Sequence, residues 1–188
     1  MRIVAGSAKG VRLGPVPPPV RPISDRAREG LFSSLGPEVL EGAVVLDLYA
    51  GTGAAGIEAL SRGAERAVFV DRAPAAVSAI KGNLAATKLA ARGEVVPSAV
   101  ARFTARDDLP GAPYDLVICD PPYDLGSPDV DDVLRELADG WLRPETWTVV
   151  LTRGHKSSMP VIPLHWAVAR QLRYGDSLVI LFRPEGSA

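Results

Sequence analysis

The sequence predicts an α/β protein built on a doubly wound, mostly parallel sheet. Short apolar runs alternate with helical periods from Ala43 onward, which is the pattern of parallel strands joined by crossover helices. A glycine-rich turn follows the first apolar run. Two β-rich runs near the end flank Tyr174-Gly175-Asp176, which has hairpin-turn chemistry and predicts an antiparallel edge.

The elements follow in order. A short basic segment at the start suits a small hairpin, and PVPPPVRP at 15–22 reads as an extended linker because proline fixes φ and cannot donate to a ladder. This divides the chain into a basic hairpin extension, 1–20, and a body, 21–188. Ser24 and Asp25 suit the N-cap of a helix over Arg26–Leu35, which Gly36-Pro37 ends. AVVLDL (43–48) is the first predicted strand, with a helix near Ile57–Arg62 after the glycine turn. AVFVD (67–71) is the second, and Pro74 opens a helix running to about Leu89. EVVP (94–97), YDLVICD (114–120) and TWTVVLT (146–152) are the next three, with a helix near Val130–Gly140 before the last.

Composition narrows the function. The 188 residues suit one domain, 47% are apolar, and no run approaches the ~20 apolar residues of a membrane span. No signal-peptide pattern opens the chain, and Cys119 is the one cysteine, so a reducing cytoplasm is expected. With only two histidines besides, no His/Cys metal site is expected. The net charge of −1 is unevenly spread: residues 1–30 carry +4, 31–150 carry −8 and 151–188 carry +3. Basic ends around an acidic middle suit a polyanion held at the ends.

The glycine turn points to a nucleoside-containing cofactor. Gly51, Gly53 and Gly56 satisfy G-x-G-x-x-G, and Asp71 ends the second strand twenty residues after Gly51, where a carboxylate accepts hydrogen bonds from a ribose. The motif alone fits a dinucleotide or S-adenosylmethionine. Asp47, four residues before Gly51, favours the second. A carboxylate there repels a pyrophosphate but attracts a sulfonium and an ammonium.

Asp120-Pro121-Pro122-Tyr123 follows the fourth strand. Two prolines make a stiff turn that aims a carbonyl in one direction. An exocyclic base amine is a poor nucleophile because its lone pair is delocalised into the ring. Acceptors on Asp120 and Pro121 would hold both amine protons and stabilise the charge developing on nitrogen, with Tyr123 stacked on the base.

These motifs together resemble the RsmD family of bacterial 16S rRNA (guanine-N2)-methyltransferases, over nearly the whole chain. RIVAGSAKGVRL, RPISDRAREGLF, DLYAGTGAAGIEALSRGA and DPPY carry the resemblance. It implies a seven-stranded Rossmann-like class I methyltransferase sheet. It also implies a cofactor pocket around Asp47, Tyr49, Gly51, Thr52, Gly53, Asp71 and Arg72, with Ser98 and Ala99 near the adenine. The chain departs from the family's pattern at Ala99, where relatives usually place Asn or Asp, and at Ser24, where Thr is commoner. The catalytic set implied is Asp120, Pro121, Pro122 and Tyr123, and the substrate 16S rRNA or a small-subunit assembly intermediate. Arg2, Lys9, Arg12, Arg21, Arg26 and Arg28 are the expected phosphate contacts, with His155 and Lys156 candidates to line the cleft. A monomer without metal or membrane attachment is expected. The competing readings are an adenine-N6 DNA methyltransferase, a dinucleotide oxidoreductase and a silent RNA-binding assembly module.

Overall fold

The computed structural model describes residues 1–15 and 25–186. Its centre is a seven-stranded sheet in the order β3-β2-β1-β4-β5-β7-β6. Strands β1 (Val44–Leu48), β2 (Arg66–Asp71), β3 (Gly93–Pro97), β4 (Leu116–Cys119) and β5 (Thr148–Gly154) are parallel. The hairpin β6 (Trp166–Tyr174) and β7 (Ser177–Pro184) closes one edge antiparallel, as its turn residues predict. Gly175 takes φ +58°, which a two-residue turn of this kind requires. The strands read as apolar runs because the central ones are covered on both faces.

Side-chain alternation splits the core into two layers. Val45, Leu116, Ile118 and Val150 pack under α1 (Asp25–Leu35), α2 (Ala54–Ser61) and α3 (Pro74–Ala86). Leu46, Leu48, Val117, Cys119 and Leu151 pack under α4 (Val100–Thr104) and α5 (Ser127–Ala138). Successive strands are added outward from β1 on one side and from β4 on the other, so the carboxyl ends of these two parallel strands border the topological switch point, where such sheets place their ligands.

Several boundaries differ from the sequence expectation, for local reasons. Helix α3 stops at Ala86, where the Thr87 hydroxyl turns back to the carbonyls of Asn83 and Leu84 and Lys88 takes φ +59°. Helix α5 begins at Ser127 because Pro128 fits its first turn. Helix α4, which has five residues, carries no amphipathic period long enough to announce it.

The opening segment is a minimal hairpin. Arg2 bridges Arg12, Ile3 N–H donates to the Val11 carbonyl and Leu13 N–H to Met1. Ile3, Ala8 and Leu13 are buried in the same layer as α1, α2 and α3. The segment expected as an appendage therefore shares the core of the body. Among the described residues no helix is long and apolar enough to cross a membrane.

Candidate functional site

The glycine turn is held by two carboxylates. The Asp47 side chain leaves β1 on the α2 face, and its Oδ2 accepts the Gly56 N–H at 2.9 Å. A Cβ at Gly56 would crowd that carboxylate and the Phe69 ring, so only glycine lets the helix come this close. Asp71 ends β2 with Oδ2 accepting the Gly51 N–H and Oδ1 the Ala73 N–H, both at 2.9 Å. A carboxylate has about four lone-pair sites, so each Asp71 oxygen retains acceptor capacity for ribose hydroxyls. Gly53 caps α2 in the left-handed region at φ +74°. Tyr49 takes φ +58°, an uncommon conformation for a bulky residue and one that clusters at functional sites.

The tetrad sits one strand away. The Asp120 N–H donates to the Leu48 carbonyl at 3.4 Å, which ties the exit of β4 to the exit of β1. Asp120 is half-buried, Pro121 buried, and Pro122 and Tyr123 exposed. Asp47, Asp71 and Asp120 gather around the turn and feel one another. The Asp47 carboxyl is pushed up to about 8, chiefly by burial and then by the negative charges of Asp120 and Asp71. The negative charges of Asp120 and Asp71, which contribute to this rise after burial, are the part of it that would also favour a cationic occupant. Burial pushes the Cys119 thiol up, which leaves it a packing residue rather than a nucleophile.

Past Asp71, at the ends of β2 and β3, a cavity of about 550 Å³ is lined by Arg72, Val96, Pro97, Ser98, Ala99, Arg102 and Arg106. Its size suits a nucleoside. Ala99 is exposed at the cap of α4, and the Ser98 hydroxyl is turned to the Ala99 carbonyl at 3.1 Å. A second cavity of about 580 Å³ opens at the opposite edge of the sheet, between Glu41, Asp115, Arg143, Trp147 and Arg183. Neither the glycine turn nor the tetrad lines it, and ligands of such sheets bind at the carboxyl edge.

The expected phosphate contacts divide. Arg2, Lys9 and Arg12 are exposed on the opening hairpin. Arg21 lies outside the described residues, and of Arg26 only the backbone, within α1, is described. Arg28 departs from the expectation. It is fully buried, with its Nε 3.6 Å from Glu58 Oε2 and its Nη2 donating to the Arg2 carbonyl at 2.5 Å. It fastens the opening segment instead of facing solvent. His155 and Lys156 follow β5, with the His155 N–H donating to the Asp176 carbonyl at 2.8 Å.

Three residues that sequence reasoning passed over hold this arrangement. Glu58, fully buried in α2, accepts the N–H groups of Val4 and Ala5 and the Nε of Arg62. Asn83 donates from Nδ2 to the Thr52 carbonyl in the glycine turn and accepts the Gly14 N–H at Oδ1. Arg153, 6% exposed at the end of β5, donates to the Leu125 carbonyl and Ser127 hydroxyl behind the tetrad. A charged residue ending an apolar strand was the available signal for Arg153; Glu58 and Asn83 read as ordinary helix residues.

The chain is similar to known proteins over nearly its whole length. The family described as Conserved hypothetical protein 95 matches residues 1–183. The ribosomal RNA small subunit methyltransferase D of Escherichia coli is 35% identical over 188 residues, 98% of this chain and 90% of that one. A solved structure of a candidate methyltransferase, yhhF, from Escherichia coli has a TM-score of 0.85 at 33% identity, covering 100% of this chain and 99% of the other. A hypothetical protein from Thermus thermophilus gives 0.81 at 30% identity, over 96% and 98%. The sheet is therefore that of the class I methyltransferases, and the chain belongs to the RsmD family, that of the ribosomal RNA small subunit methyltransferase D proteins.

Proposed function

We propose that this protein transfers a methyl group from S-adenosylmethionine to the exocyclic N2 amine of a guanine in the 16S rRNA of the small ribosomal subunit. One observation carries the reading: three carboxylates, Asp47, Asp71 and Asp120, surround a glycine turn at the switch point, beside a rigid DPPY corner. The names of the relatives support rRNA as the substrate.

In this reading Asp71 holds the ribose, Asp47 and the backbone of Tyr49, Gly51, Thr52 and Gly53 face the cationic end, and the cavity by Arg72, Ser98 and Ala99 takes the adenine. With no side-chain acceptor at Ala99, adenine is held by backbone groups or by Ser98. The bound cofactor supplies an electrophilic methyl on a sulfonium. The Asp120 carboxylate and the Pro121 carbonyl accept the two amine hydrogens, which frees the nitrogen lone pair and orients it. Asp120 also stands ready to accept the proton the nitrogen sheds after transfer. Pro122 stiffens the corner, and Tyr123 covers the base, a stack worth about 1–3 kcal/mol. The target guanine leaves its own stack, which costs a few kcal/mol and least in a loop. Exposed Arg2, Lys9 and Arg12 meet backbone phosphates.

The test offers labelled S-adenosylmethionine with rRNA, small subunits and DNA in parallel, followed by identification of the modified base. N2-methylguanine in the small-subunit RNA is the expected product. Methyladenine in DNA would replace this reading with the DNA one, and no transfer to any substrate would leave a binding module.

A further inference from the structure

We propose that Ser177 is a positioning residue that fixes the Tyr123 ring where it stacks on the target base. The inference rests on the reading of the tetrad given above and extends it to a residue on another element, 54 positions away.

Tyr123 sits on a loop and is 46% exposed, so packing alone does not set its ring. An exposed ring free to change rotamer is a poor stacking platform, because each binding event must then freeze it. Here the ring is tethered at its far end: the Tyr123 hydroxyl and the Ser177 hydroxyl are 2.6 Å apart. Two points then define the ring, its attachment to the rigid Pro-Pro corner and its hydroxyl.

The tether is only as firm as Ser177, and Ser177 is well anchored. It opens β7, paired with Gly154 of β5 on one side and Tyr174 of β6 on the other. The same hairpin tip accepts the His155 N–H at the Asp176 carbonyl. The Tyr174 hydroxyl packs against Gly30 of α1, where an added Cβ would overlap it. By alternation with Val179 and Leu181, the Ser177 side chain lies on the sheet face that carries Asp47. The antiparallel hairpin thus forms the wall of the site next to the tetrad. A serine that merely capped the hairpin would have no need of the tetrad's tyrosine.

The experiment measures methyl transfer to unmodified small subunits by the full chain, in four forms: parent, Ser177→Ala, Tyr123→Phe and the double variant. Losing one neutral hydrogen bond predicts that each single variant lowers kcat/KM by about two- to tenfold, carried mainly by KM for the RNA. Cofactor affinity, measured by calorimetry, stays that of the parent. The double variant falls no further than either single one, because both remove the same bond, and Ser177→Thr restores activity. Parental kcat/KM in Ser177→Ala overturns the inference. So does an equal further loss when Ser177→Ala is added to Tyr123→Phe, since that places the effect in the hairpin and not in the ring. Absence of transfer by the parent chain overturns the proposed function itself, and this inference with it.

Discussion

Replacing Glu58 by alanine tests whether one buried carboxylate holds the opening segment on the body. The side chain is fully buried and accepts from Val4 N–H at 2.8 Å, Ala5 N–H at 3.0 Å and Arg62 Nε at 2.8 Å, with Arg28 Nε at 3.6 Å. Removing it strips two backbone donors of their acceptor and leaves the buried Arg28 guanidinium without this counter-charge. Each stranded donor costs about 1–3 kcal/mol, and breaking a buried ion pair from one side about 3–5 kcal/mol. These losses overlap, and the expected total is about 4 kcal/mol, or a melting temperature lower by about 10 °C for a chain of this size. Glu58→Gln keeps one acceptor oxygen but turns an amide N–H toward the donors, so about half that loss is expected. Thermal and urea unfolding followed by circular dichroism measure both. Limited proteolysis should show residues 1–13 cut early in Glu58→Ala while the sheet persists. If both variants unfold within about 1 kcal/mol of the parent, the carboxylate is not the clamp described here.

Three further outcomes are expected. The Asp47 carboxyl, pushed up from 3.8 to about 8, binds a proton more tightly folded than unfolded, so it costs stability as pH rises from about 4 to 8. Asp47→Asn should flatten that slope in denaturant unfolding, and calorimetry should show S-adenosylmethionine affinity rising toward pH 8 in the parent but not in the variant; parallel profiles for variant and parent would remove Asp47 from the cationic site. Asp120→Ala should reduce kcat by about a hundredfold or more while changing cofactor affinity less than threefold, as befits a group acting on the amine; near-parental turnover would contradict its role. Substituting Arg2, Lys9 and Arg12 together with Gln should weaken RNA binding and flatten its dependence on salt by up to about three charges' worth, with cofactor affinity unchanged; an unaltered salt slope would place the phosphates elsewhere.

The parts legible in the sequence are those written in short-range code. The strand–helix alternation, the Gly51-Thr52-Gly53 turn, Asp71 at the end of β2 and the β6–β7 turn each depend on neighbours in sequence, and each lies where it was expected. What failed depended on distant partners. Arg28 reads as a phosphate contact because it belongs to a basic stretch, but its partner Glu58 lies thirty residues away on another helix. Asn83 gives no sign that it joins Gly14 to Thr52, because its amide is used only once three segments converge. Ser177 likewise gains significance only when the hairpin folds back beside Tyr123. The five residues of α4 are too few for a period.

The amide of Asn83 also ties the opening segment to the glycine turn. One side chain joins Gly14, just past the basic hairpin, to the Thr52 carbonyl in the glycine turn, so a substitution at Asn83 would loosen both attachments at once. In the proposed function rRNA meets the first and the methyl donor the second, and any coupling this bond carried between them would be reciprocal, each ligand changing the other's affinity by the same factor.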